Sequence, residues 1–183
     1  VAARRTQEGL TLLQIAFSVF LAGSLLAAFV PTFVRELRLS KIAEAGRQLQ
    51  RLHASTAAYF ATPHDVEGQT LHRCLPVAAG PVPFEPTVEA HRVDFAAEGL
   101  DHDGFRAIAF EVEEPIRFSY ELRPTSVGCD LRSPEGTYLV SYRAVGDLDG
   151  DGERSFFERR DRARDDADEL EPVGILSVRY RTE

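Results

Sequence analysis

Acidic side chains recur at alternate positions in one short stretch, Asp147-Leu148-Asp149-Gly150-Asp151-Gly152-Glu153-Arg154-Ser155-Phe156-Phe157-Glu158. Counting Asp147 as the first place, carboxylates stand at places 1, 3, 5 and 12, glycine at 6 and serine at 9, the ligand layout of a twelve-residue calcium loop. Ca²⁺ takes six to eight oxygens in a flexible shell, so alternate carboxylates on a tightly turned backbone can converge on it. Glu153 would add its main-chain carbonyl, and Gly152 would permit the turn. The candidate metal ligands are therefore Asp147, Asp149, Asp151, Glu153 and Glu158. Arg154 stands where such loops usually have an aliphatic residue, and a strand rather than a helix leads in, so a paired helix-loop-helix unit is not expected. The competing reading is a plain polar turn. Mutual repulsion of uncompensated carboxylates favours the cation.

No second stretch carries comparable chemistry. The chain has no G-x-S-x-G elbow, H-E-x-x-H pair or phosphate-binding loop, and neither Cys74 nor Cys129 has a neighbouring histidine to activate a thiolate, so catalysis is not expected. His64, His72 and His91 are scattered among polar residues and read as surface side chains. A formal charge of −8 leaves no basic footprint for nucleic acid.

The elements that must position the loop begin with a 25-residue run from Leu10 to Val34 that contains no charged side chain. At about 1.5 Å per residue a helix of that length crosses a hydrocarbon core of about 30 Å. Arg4 and Arg5 precede it and by the positive-inside tendency keep the N-terminus cytoplasmic, which sends the remainder to a compartment where disulfides persist. Cys74 and Cys129 are expected to pair there. Beyond Pro31, apolar residues from Leu39 to Phe60 recur at helical steps with Arg38, Lys41, Glu44, Arg47, Gln48 and Arg51 between them, which predicts one long helix over about 10–60, bent or locally opened at the proline.

Five prolines between Pro63 and Pro86 predict a long surface loop held by Cys74. Strands are expected over 107–112, 118–122, 138–145 and 175–180, with the middle two paired antiparallel across the loop that carries Cys129. The run Glu158 to Glu171, dense in both signs, reads as a solvated loop or one exposed helical turn.

The start of the chain resembles the N-terminus of type IV pilins and type II secretion pseudopilins. The likeness rests on Arg4 and Arg5, on Glu8 and Gly9, on the Leu10-Thr11-Leu12-Leu13 sequence that follows, and on Pro31 at the place where pilins commonly carry one. The resemblance implies an α+β, pilin-like fold: a leader over 1–9, a membrane-spanning half-helix over 10–34, an amphipathic half over 35–61, and a β-rich periplasmic or extracellular domain over 62–183. It implies cutting between Gly9 and Leu10 by a prepilin peptidase, methylation of the new N-terminus, and assembly with other pilin-like subunits through the inner-membrane platform, from membrane lipid into a filament. The family's usual glutamate at the fifth place after the cut is Gln14 here, which points to a minor or tip subunit. Major pseudopilins bind calcium in their C-terminal sheet region, in keeping with the acidic loop. The alternative expectation is a single-pass, membrane-anchored, calcium-responsive binding module that never polymerises.

Overall fold

The computed structural model describes residues 11–97, 99–129, 137–164, 166–174 and 176–179. The fold is α+β: one long N-terminal helix, α1 (Leu12–Ala61), whose later part packs on an antiparallel sheet. The chain divides into two compact units, Val1–Ser40 and Lys41–Glu183.

In the first unit every side chain described between Thr11 and Glu36 is exposed, among them Leu12, Phe17, Phe20, Phe29 and Phe33. This stretch is long and apolar enough to cross a membrane. Helix persists through Pro31, which removes the donor that would reach the carbonyl of Ala27. The hydroxyls of Ser18, Ser24 and Thr32 donate to carbonyls four residues earlier, so the polar side chains of the run find partners on their own helix.

In the second unit, Ala45, Leu49, Leu52, Thr56 and Phe60 form the buried stripe of α1 at steps of three and four residues. They pack against a sheet ordered β3 (Ala79–Val82), β4 (Ser119–Pro124), β5 (Thr137–Gly146) and β6 (Ser155–Arg164), with β7 (Glu171–Pro172) and β8 (Ser177–Arg179) both paired to β6. All neighbours run antiparallel. Tyr120, Leu122, Val140, Tyr142, Ala144, Phe157 and Ala163 face the core, while the alternate residues face out. Buried Glu44 pins the helix to the start of β4: its Oε1 accepts from the Arg117 main-chain N–H at 2.8 Å, and its Oε2 accepts from the Arg117 guanidinium at 3.3 Å. Burial and the Glu44 carboxylate together push the Tyr120 pKa upward, so this phenol stays neutral.

Three expectations are corrected. The proline-rich segment is not one loop. It holds a hairpin, β1 (His64–Val66) with β2 (Gln69–Leu71), and the edge strand β3. Pro81, within that strand, fits there because an edge strand needs fewer main-chain donors, and Pro83 directly follows it; each is preceded by a cis peptide. The apolar residues from Ala107 to Val112 form no strand: Ala107 closes α2 (Leu100–Ala107), and Ile108, Phe110 and Val112 enter the core from irregular chain. Phe110 and Phe105 both stand edge-on to Phe95, with ring centres 5.3 Å apart in each case. The third correction concerns the charged run from Glu158, whose first half lies in the inner strand β6. The strands expected over 118–122 and 138–145 are β4 and β5, paired as expected. The final candidate is β8, with residues 175 and 180 outside the described set.

Cys74 and Cys129 form a disulfide across a sequence separation of 55. Beside it, Leu75 and Gly128 exchange main-chain hydrogen bonds of 2.8 and 3.0 Å. In the loop-entropy view, closing a ring of this length contributes about 4 kcal/mol by restricting the unfolded chain.

Candidate metal centre and the helix start

The acidic residues sit at the turn of the β5–β6 hairpin. Gly146 ends β5, and the next residue, Asp147, folds the turn around its own carboxylate: Oδ1 accepts from Gly150 N–H at 2.7 Å and Oδ2 from Gly152 N–H at 3.2 Å. Asp151 accepts from Glu153 N–H at 2.8 Å. Gly150 and Gly152 adopt φ of +82° and +91°, in the left-handed region open to glycine at little cost. Between the acids, Leu148 drops into the core, and its carbonyl accepts from the Lys41 ammonium at 2.9 Å. The loop is thus held from below by an apolar plug and a cation on α1.

This folding brings carboxylate oxygens of Asp147, Asp149 and Asp151 within 4.8 Å of one another, a cluster that could hold a metal ion. Asp147 is half-buried, and Asp149 and Asp151 are exposed. The donor set is all oxygen and anionic, the kind that hard divalent cations take. Main-chain amides already occupy part of the Asp147 and Asp151 carboxylates, which fixes the direction of their remaining lone pairs. Glu153 is exposed in the same loop and stands outside the side-chain cluster. Ser155, at the ninth place, is fully buried at the start of β6.

Glu158 is not brought to this cluster. Three residues of extended chain beyond Ser155 carry it about 10 Å along β6. On the outer face of the sheet it accepts from Arg143 Nε at 2.9 Å and Arg160 Nη2 at 2.6 Å. Burial alone would raise its pKa, but these two guanidiniums outweigh that and hold it below the usual glutamate value. In a helix-flanked loop the twelfth residue turns back toward the ion, whereas a strand has no such turn.

At the other candidate region, Gly9 and Leu10 lie outside the described residues. Gln14 is described: its Oε1 accepts from Thr11 N–H at 2.9 Å, and Gln14 N–H donates to Thr11 Oγ1 at 3.3 Å. This reciprocal pair is a capping box, which satisfies two of the donors that a helix start leaves open. A neutral amide serves here as well as a carboxylate and needs no counter-charge.

One partly buried polar pair lay beyond sequence reasoning. His53 on α1 meets the fully buried Asp161 of β6, Nδ1 to Oδ2, at 2.5 Å, with Arg159 Nε 3.6 Å from the other oxygen. Burial, followed by the nearby Asp161 carboxylate, pushes the pKa of adjacent Tyr142 upward. Asp161 looks in sequence like one more member of a solvated charge run, and His53 is 108 residues away from it. Of the three scattered histidines, His64 contacts the Tyr59 carbonyl and His91 the Thr87 hydroxyl, each at 2.9 Å, and none joins the metal cluster. Comparison of the chain with protein-family models, with curated proteins and with solved structures finds no match.

Proposed function

We propose that the chain is a pilin-like structural subunit, cut after Gly9 by a prepilin peptidase and assembled through α1 into a type IV pilus or type II secretion pseudopilus. The observation that carries this reading is the division of labour along α1: one unbroken helix, Leu12–Ala61, whose apolar first part is exposed and whose second part supplies the core stripe of a sheet domain. A simple anchor has no need to continue as the core helix of the domain it tethers. Exposed apolar side chains suit lipid before assembly, and the small residues Ala16, Ala22, Gly23, Ala27 and Ala28 permit close helix approach afterwards.

The capping role of Gln14 supports a minor or tip subunit. With the helix start satisfied internally by an uncharged side chain, the subunit carries no carboxylate in the bilayer that needs a partner's amine. The three-aspartate cluster supports a structural calcium site made of Asp147, Asp149 and Asp151 with the Glu153 carbonyl, since six to eight flexible oxygen ligands suit an open loop better than octahedral Mg²⁺ would. Glu158 falls outside that set.

The test is N-terminal sequencing of the protein from cells that contain and cells that lack the peptidase. A mature chain beginning at Leu10 only when the peptidase is present is the expected result. A chain beginning before Leu10 in both would leave the non-polymerising anchored module as the better reading.

A further inference from the structure

The solvent-facing side of the sheet carries a concentration of arginine that a chain of net charge −8 does not need for solubility. Register places Val145, Phe156 and Arg179 side by side in one row across β5, β6 and β8, and Arg143, Glu158 and Ser177 in the next. Arg160 follows Glu158 on the same face of β6. Arg143, Phe156, Glu158, Arg160, Ser177 and Arg179 line a cavity of about 310 Å³. Glu158 accepts from both Arg143 and Arg160, and Glu121 lies 4.0 Å from Arg143 Nη1; these contacts fix two guanidinium forks while leaving several of their N–H groups open. Arg179 has no partner among the described residues, and Phe156 is 42% exposed beside it.

We propose that this groove binds an acidic peptide segment of a partner protein, its carboxylates seated on Arg143, Arg160 and Arg179 and an apolar side chain against Phe156. Planar guanidinium forks match carboxylates in bidentate geometry. An alternation of cation and anion across the floor suits a peptide, whose charges are spaced by neutral backbone, better than a polyanion, which would meet Glu158 with like charge. Among the described residues β8 pairs only with β6, so its far edge offers main-chain donors and acceptors to an extended segment.

The experiment uses the full chain in detergent micelles and a fluorescent decapeptide of alternating glutamate and serine, with the alternating glutamine–serine decapeptide as control, read by anisotropy. The glutamate peptide is expected to bind at least tenfold more tightly than its control and to weaken as salt rises. Arg179→Gln, on an exposed edge where it disturbs no ion pair, is expected to lose at least tenfold at an unchanged melting temperature. Phe156→Ser tests the apolar half and is expected to weaken a glutamate peptide that contains one leucine more than one that contains none. Equal binding of the two decapeptides, absence of binding, or an Arg179→Gln protein that binds like the parent would each overturn the proposal. So would displacement of the peptide by equimolar inorganic phosphate or by anionic vesicles.

Discussion

Two heavily charged stretches of the chain, Asp147–Glu153 and Glu158–Arg164, lie five residues apart and have opposite fates. The first gathers acids of one sign, and they remain at a hairpin turn, mostly exposed, with carboxylates facing one another. The second mixes Glu158 and Asp161 with Arg159, Arg160, Arg162 and Arg164, and it becomes an inner strand. What separates them is glycine and period. Gly150 and Gly152 break the first into a turn, whereas the second has neither glycine nor proline and, continuing the strand alternation from Phe157, places Asp161 and Ala163 inward. Charge density does not decide exposure when the one acid that must go inside finds a partner on the helix above it.

The sharpest way to break that contrast is Asp161→Ala, which strips a fully buried carboxylate from His53 and Arg159. It is expected to cost about 3 kcal/mol, against about 0.5 kcal/mol or less for the neighbouring outward Arg162→Gln. Urea unfolding of the full chain in detergent measures both, and equal costs would mean that β6 is held by something other than the inward pair. Next in size is the loop. With calcium at a hundredfold excess over its dissociation constant, the parent should gain about 2.7 kcal/mol, and Asp149→Ala combined with Asp151→Ala should remove that gain while changing stability in chelator only slightly, through the lost Asp151 turn contact. Identical melting of the parent with and without calcium would reduce the loop to a polar turn. The smallest effect concerns Glu158. Because its folded pKa is lowered, its stabilisation is present above the unfolded value and is lost as pH falls through the folded one, below the ordinary 4.5. Glu158→Gln should therefore lower stability slightly near neutrality, leave it unchanged at low pH, and so flatten the acid limb of a stability–pH curve. An unchanged acid limb would show that the two guanidiniums do not depend on its charge.

Sequence patterning was sufficient where one period ran over enough residues. The long helix was legible from its uncharged run and the stripe that follows, and β4 and β5 from alternation such as Phe118-Ser119-Tyr120-Glu121-Leu122. The aspartate spacing found the loop because convergence there depends on neighbours in the chain. It misplaced Glu158, since a twelve-residue template assumes a returning helix and β6 continues straight. The eight-residue α2 was missed because Gly104 and two aspartates obscure its apolar side, and β3 because its prolines argue against a strand unless the strand is known to be at an edge. The partnership of His53 with Asp161 joins elements too distant for any local pattern to connect.

The disulfide has a consequence for chain connectivity. Cys74 and Cys129 close a covalent ring that contains β3, α2, the exposed Phe84 and the whole of β4. A protease that cuts at Phe84 opens that ring but releases no fragment, because both ends stay tied through the sulfurs. A cut in the Asp147–Glu153 turn meets no such tether, and β6 with everything after it would then be held by pairing and packing alone. The acidic loop is thus a point at which the domain can be divided in two without reductant.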